Sequence, residues 1–390
     1  MLRSRYRQHG LFLMLILACV SAHGFGHGSR TASVLAELVK LRPGWRLVLS
    51  TALPASFLEL ALGPVPHEQR PCRWDVGVIQ ADALGADPAA TLEALEELER
   101  SLPDQLEREA SWLVEQGEPA LVLGDVPPAA AQLAGRTGLP LVWLASFGWD
   151  AIYGPMAADP QLEPDQAKRF ADWAEHCRTL YRCGDLLLRC PLALPMPWDL
   201  PEQAIGLTSS SPRLDLADLA QRLQLPPDRQ SCVLISFGGM GFPLDPALLA
   251  HWPDHVFLGP DLAMTAAPNG RLLPPGVRPL DAMPLIGRLI TKPGYSSFCE
   301  ALSQDVGIHL VHREGFAEAA VLEADLQRIG WHRLLSQEQL RRGDWQLDQP
   351  LLPPTGTPLP TQGAAEAAAA IVTLAEERSA VPMYLRRTIG

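Results

Sequence analysis

The chain has 390 residues, 47% of them apolar, and a formal charge of −12. That length exceeds what one core comfortably supports, and the apolar content excludes a broadly disordered chain. The acidic balance argues against nonspecific nucleic-acid binding, which needs a basic face.

The N-terminus has two readings. Arg3, Arg5 and Arg7 precede an apolar run over residues 11–20, and Val20-Ser21-Ala22 has the small residues of a cleavage site, so the outline is that of a signal peptide. The reading we prefer is a buried first strand feeding a glycine loop. Cleavage after Ala22 would sever the strand from the loop it positions. The true start is then Met1 or Met14. The run is too short for a stable membrane span, and no other segment qualifies.

Short apolar runs next alternate with helical patterns, as in parallel βαβ units. Strands are expected at 15–21, 46–50, 76–79, 120–123, 141–145 and 186–189, and helices at 31–40, 89–115, 129–136 and 165–181. The longest helix carries Leu92, Leu95, Leu98, Leu102, Leu106, Ala110 and Leu113 at spacings of three and four, which makes one buried face. Residues 191–212, with several prolines and the run Ser209-Ser210-Ser211, read as a linker. A second series follows, with strands at 232–236, 255–258, 289–291 and 307–311 and helices at 214–223, 297–303, 317–328 and 337–341. A Pro-rich loop over 351–361 leads to an alanine-rich helix at 364–377. The expected organisation is a first domain at 14–190, a linker at 191–212, a second domain at 213–362 and a last helix at 363–378, free to pack back across the first domain.

The seven cysteines are odd in number and contain no Cys-x-x-Cys pair, which disfavours a disulfide framework or structural zinc. A reducing compartment, the cytoplasm, fits best. Lysine occurs only at Lys40, Lys168 and Lys292.

The first strand runs into Ala22-His23-Gly24-Phe25-Gly26-His27-Gly28-Ser29-Arg30 and then a helix, where amides and the helix dipole accept anions. Ser29 stands where a dinucleotide fingerprint needs its third glycine, and the second strand ends in Ser50-Thr51 with no acid for a ribose, so an NAD site is disfavoured. His23 and His27 flank Gly-Phe-Gly rather than a helical turn with a Glu, which argues against zinc. His27, at the helix mouth, is a candidate general base; the competing reading is that the histidines only cap the helix or satisfy the loop. Asp125 follows the fourth strand, at the end where open α/β sheets place ligands. It can orient a histidine base such as His27, or simply cap the next helix.

In the second half, Ser236-Phe237-Gly238-Gly239-Met240-Gly241 lets backbone approach a pyrophosphate, although glycines after a strand often make only a turn. Thr291-Lys292-Pro293-Gly294-Tyr295-Ser296-Ser297-Phe298-Cys299-Glu300 can seat a phosphate on the helix start at Ser296 or Ser297, with Glu300 on two ribose hydroxyls. A plain capping arrangement is the alternative. Arg313, Phe316 and Glu318 follow the strand at 307–311 and can meet a sugar, or form an ordinary βα loop. In Ser146-Phe147-Gly148-Trp149-Asp150 an aromatic and an acid suit sugar stacking, or Trp149 is core. No P-loop, no Gly-x-Ser-x-Gly elbow and no Asp-x-Asp occurs. Leaving diphosphate charge would then rest on helix N-termini and on Lys292 or Arg313.

His23-Gly24-Phe25-Gly26-His27, Ile79-Gln80-Ala81-Asp82-Ala83-Leu84, Asp125-Val126-Pro127, Ser146 to Tyr153, Phe237-Gly238-Gly239 and Lys292-Pro293-Gly294-Tyr295 together resemble the glycosyltransferase-like N-terminal region of L-arabinokinases and its bacterial relatives, over about residues 16–371. Tyr295-Ser296-Ser297 departs from the Tyr-Gly-Thr more common in that group. The resemblance does not extend to the galactokinase-type half, so sugar kinase activity is not implied. The second half is also similar to the donor domain of GT-B transferases, whose Gly and Glu spacing Gly294 and Glu300 keep. The resemblance implies an α/β GT-B fold, two Rossmann-like domains facing across a cleft. It also implies His27 as the histidine of inverting members, with Asp125 as its acidic partner.

The leading expectation is metal-independent transfer of a sugar from a UDP-linked donor to an unknown acceptor, with the nucleotide sugar as substrate and no cofactor. A nucleotide-sugar epimerase and a non-catalytic sugar-nucleotide-binding protein are the alternatives.

Overall fold

Leu, Val and Ile fill short runs that are buried on both faces, as parallel strands covered by helices require. A computed structural model describes residues 13–79, 86–238, 244–313 and 317–380. Strands β1 (Leu15–Val20), β2 (Arg46–Ser50), β3 (Glu68–Arg70), β4 (Ala120–Asp125), β5 (Leu141–Ala145), β6 (Leu186–Arg189) and β7 (Glu202–Ala204) form one sheet, in the order β3-β2-β1-β4-β5-β6-β7. Strands β8 (Cys232–Ile235), β9 (Val256–Gly259), β10 (Gly270–Leu272), β11 (Arg288–Thr291), β12 (Gly307–Val311) and β13 (His332–Leu335) form a second, in the order β10-β9-β8-β11-β12-β13. Neighbouring strands are parallel throughout both sheets.

The helices in the first half are α1 (Phe25–Leu41), α2 (Ala55–Leu62), α3 (Pro88–Gln116), α4 (Ala129–Thr137), α5 (Trp149–Ala157) and α6 (Pro164–Tyr181). In the second half they are α7 (Leu216–Leu223), α8 (Pro279–Ala282), α9 (Tyr295–Leu302), α10 (Ala317–Ile329), α11 (Gln337–Arg342) and α12 (Gly363–Ala380).

Strands β3, β10 and β13 and helices α2 and α8 go beyond the expected elements, and three further features differ from expectation. Residues 76–79 form no strand, although Val76 and Val78 alternate; Gly77 takes a φ of 73°. The segment instead lies over the C-terminal ends of β1 and β2. Asp75 accepts from Ser21, the Trp74 indole donates to the Ser50 carbonyl, and the Val78 amide donates to His23. Secondly, the segment read as linker carries β7, the edge strand beside β6, so the chain leaves the first sheet only after Ala204. β7 itself holds no proline; Pro201 stands just before it, and its carbonyl accepts the Leu187 amide. Thirdly, α5 begins at Trp149, where no helix was expected.

The terminal helix α12 returns to pack on α1, burying Ala364, Ala367, Ala368, Ile371 and Ala375. Two ion pairs, Arg42–Glu376 and Arg378–Asp185, fasten it to the first half. The outgoing and returning chains touch at Gly206 and Gly363: Leu207 N–H donates to Pro360 at 2.7 Å, and Gly363 N–H to Leu207 at 3.2 Å.

Candidate active site at the interdomain cleft

In the first sheet the strand order reverses between β1 and β4, where Val20 pairs with Asp125. Ligands of open α/β sheets bind at such a switch point. Gly24 is the N-cap of α1, so His27 lies in the first turn of the helix. Its Nδ1 is 2.9 Å from Oδ1 of Asp125, the last residue of β4. Asp125 caps no helix; α4 is preceded by Pro128, without a side-chain cap.

The Asp125 carboxylate is fully buried and has further donors. Arg30 Nε donates to Oδ2 at 3.0 Å and Thr31 Oγ1 to Oδ2 at 2.8 Å, while Arg30 Nη2 donates to Oδ1. Burial alone would push this carboxyl up. The Arg30 charge and the hydrogen bonds from His27 and Arg30 outweigh it and hold the group at about 2. Val126, the next residue, takes a φ of 68°, a conformation that a β-branched side chain avoids, and its carbonyl accepts the Tyr181 hydroxyl at 2.7 Å.

The His27 ring packs edge-on against Phe147, and Trp149 lies 6.5 Å away between centroids. His23 behaves differently. Burial, then the charges of His27, Arg313 and Lys292, push it down to about 3. It is therefore neutral, and its Nδ1 accepts the Val78 amide at 3.3 Å. Trp149 and Asp150 are buried rather than open to a sugar; the Trp149 indole donates to Asp75 at 2.8 Å. A cavity of about 230 Å³ lies beyond Trp149 and Asp75, walled by Leu95, Leu98, Leu106 and Trp173.

The second sheet repeats the switch point between β8 and β11, and Ser236 N–H donates to the Ile290 carbonyl at 3.1 Å. The Gly238 turn and the start of α9 thus leave adjacent strands side by side. Gly238 has a φ of 74°, with open space where a Cβ would stand. Gly239 and Phe316 lie outside the described residues, as do Gln80 to Leu84 of the Ile79 segment. Gly294 precedes α9 with no side-chain cap, so neither Ser296 nor Ser297 caps it. Ser296 spends its hydroxyl across the cleft, donating to the Gly26 carbonyl at 2.7 Å, whereas Ser297 is half-buried.

Burial, aided by the Arg313 charge, lowers Lys292 to about 8. Burial raises Glu300 to about 7, against the pull of Arg278. Glu318, on α10, is buried with its carboxyl raised, and its Oε1 lies 3.5 Å from Ser146 Oγ of the first domain. Among the described residues, no group of three or more His, Cys, Asp or Glu could hold a metal ion.

Two groups at this site escaped the sequence reading, Arg30 and Asp75. Arg30 sits one helical turn after His27, a signal that starting α1 at Phe25 would have exposed. Asp75 carries no local signal; only the path of residues 71–79 brings it to Ser21 and Trp149.

No family model matches the chain. It is 26% identical over 330 residues to L-arabinokinase of Arabidopsis thaliana, covering 84% of this chain and 31% of that protein. The chain thus spans about a third of that relative's length. Among solved structures, a UDP-glucosyltransferase from Polygonum tinctorium, capable of glucosylating indoxyl, aligns over 93% of this chain and 92% of its own, at 16% identity and a TM-score of 0.58. Phytolacca americana UGT2, complexed with UDP-2-fluoro-glucose and pterostilbene, aligns over 93% and 94%, at 15% identity and 0.58. Medicago truncatula UGT71G1, complexed with UDP-glucose, aligns over 93% and 94%, at 14% identity and 0.54.

The fold is GT-B. In GT-B terms, the His27–Asp125 pair belongs to the first domain and faces the α9 start of the second. Among the described residues no helix is long and apolar enough to cross a membrane.

Proposed function

We propose that this chain transfers a sugar from a nucleoside diphosphate donor, UDP-linked, to an acceptor hydroxyl without a metal. His27 accepts the acceptor proton on Nε2 while Asp125 orients the ring through Nδ1. The acceptor oxygen then bonds to the anomeric carbon, the bond to the β-phosphate oxygen breaks, and its electron pair leaves with the diphosphate. A single displacement of this kind inverts the anomeric centre.

Departing charge is met by the amides of Gly238 and Gly239 and of the α9 start at Gly294, by Ser297, and by the cations Lys292 and Arg313. Glu300 takes the ribose; Phe316 and Glu318 meet the sugar. The acceptor presents a hydroxyl and is not nucleic acid. The cytoplasm suits a chain whose seven cysteines are all free.

The observation that carries this reading is the His27–Asp125 contact, 2.9 Å long, at a switch point that faces the α9 start. Neighbours of the same fold bind UDP-glucose and its fluoro analogue, which favours the uridine donor. The test is incubation of purified protein with UDP-sugars and an acceptor panel. Donor hydrolysis or transfer that disappears in His27→Ala supports it. Interconversion of sugar epimers would make the chain an epimerase. Saturable binding without turnover would make it a sugar-nucleotide sensor.

A further inference from the structure

We infer that Arg30 is a positioning residue for His27: it fixes the Asp125 carboxylate that orients the imidazole, and it sets a positive charge against that imidazole. The inference rests on His27 being the proposed base.

The geometry leaves Arg30 little other work. It is 2% exposed and lies one helical turn beyond His27. Its Nε and Nη2 grip both Asp125 oxygens, and Nη1 donates to Ser146 Oγ at 2.9 Å. The guanidinium carbon stands 5.0 Å over the Tyr295 ring of the second domain, which closes its remaining face. With Thr31 also on Oδ2, the carboxylate plane is set without any help from His27. Oδ1 is thereby presented to Nδ1, which favours the tautomer protonated there and leaves Nε2 with its lone pair.

Charge gives the second reason. The titratable groups around His27 are Asp125 on β4, Asp75 on the 71–79 segment, Glu318 on α10 and the neutral His23. Three carboxyl groups would favour an imidazolium, which cannot take a proton from an acceptor. Arg30 is the cation in direct contact, with Nη2 at 3.3 Å from Nδ1. Lys292 and Arg313 lie near enough to His23 for their charges to act on it. Paired with Arg30, Asp125 orients the ring without a full uncompensated charge.

The experiment is a titration of the His27 ring in the full chain, followed by NMR of labelled histidine with no donor present, so its outcome is independent of any transferase activity. In Arg30→Met the midpoint moves up by about one pH unit or more. In Asp125→Asn it moves down, and in the double variant it returns towards the wild-type value. The step from Asp125→Asn to the double variant measures the same charge with no buried carboxylate left unpaired, so it decides the matter if Arg30→Met does not fold. Arg30→Lys keeps the charge but cannot hold both oxygens and Ser146. Its kcat falls while the donor KM stays, and the midpoint moves little. A folded Arg30→Met, or a double variant, whose midpoint does not rise relative to its parent overturns the inference. A merely structural role would lower the melting temperature and leave the titration where it was.

Discussion

Ser296, on the first turn of α9, donates its hydroxyl to the carbonyl of Gly26, on the first turn of α1, at 2.7 Å. Two helix starts, each following a strand at its sheet's switch point, are thus pinned to one another across the cleft. Both Arg30 over Tyr295 and Ser146 beside Glu318 lie at the same seam. Ser296 therefore serves the docking of the two halves, which leaves the proposed phosphate contact to the neighbouring Ser297.

Substitution separates these roles. Ser296→Ala is expected to cost about 1 kcal/mol of stability, read from the urea midpoint, while UDP affinity stays close to wild type. Ser297→Ala is expected to weaken UDP binding by about tenfold, read by calorimetry, with little loss of stability. The opposite pattern would make Ser296 the phosphate ligand.

His27→Ala is expected to lower turnover by about 10²–10⁴-fold and leave the UDP dissociation constant unchanged, since a proton acceptor contributes in the transition state rather than in donor binding. Asp125→Ala should lose activity as well, and in addition about 3–5 kcal/mol of stability, because it strands the buried Arg30 guanidinium. Chemical denaturation of the two variants side by side distinguishes the roles.

The dependence of binding on pH follows from two shifted groups. Glu300 stands at about 7 when folded, above its ordinary 4.5. The folded state therefore holds that proton longer, and the resulting stability is present below 4.5 and lost as pH rises through 7. Lys292 stands at about 8, below its ordinary 10.5, so the unfolded chain holds the proton longer and stability rises between those values. In the proposed function the ribose needs the Glu300 carboxylate and the diphosphate needs the Lys292 cation. UDP affinity should thus climb through pH 7 and decline beyond 8. Calorimetry across pH should show Glu300→Gln flattening the acid side and Lys292→Arg flattening the alkaline side.

Gly206 and Gly363 let the outgoing and returning chains touch. A Cβ on Gly363 would stand 1.9 Å from the Gly206 carbonyl oxygen, and one on Gly206 would stand 2.4 Å from that of Pro360. The obstacles are backbone and cannot swing aside. Gly363→Ala is expected to cost about 1–3 kcal/mol and to loosen α12 from α1, measured by urea denaturation and by hydrogen exchange in α12.

Most β and α elements were legible because their signals are local. The apolar runs at β1, β5 and β12, and the three-and-four spacing of leucines along α3, state their own period. The 76–79 segment misled because Val76 and Val78 alternate like a strand; the positive φ of Gly77 is a conformation rather than a composition. β7 was hidden inside a proline-rich stretch, since an edge strand of three residues needs little apolar pattern. Trp149 looked like a sugar platform because aromatic rings serve equally in cores and in sugar sites. Only its burial and its bond to Asp75 distinguish the two.

By itself the sequence determined the alternation of strands and helices, two glycine-bearing turns each at a strand's end, and the candidates His27, Asp125 and Glu300, because backbone preference and apolar period act over a few residues. Tertiary structure alone decided which of them meet. Asp125 reaches His27 across 98 positions, and Ser296 reaches Gly26 across 270. Arg30 claims the same carboxylate, and α12 returns to α1. Such meetings depend on strand order and on how two domains dock, which no spacing along the chain records.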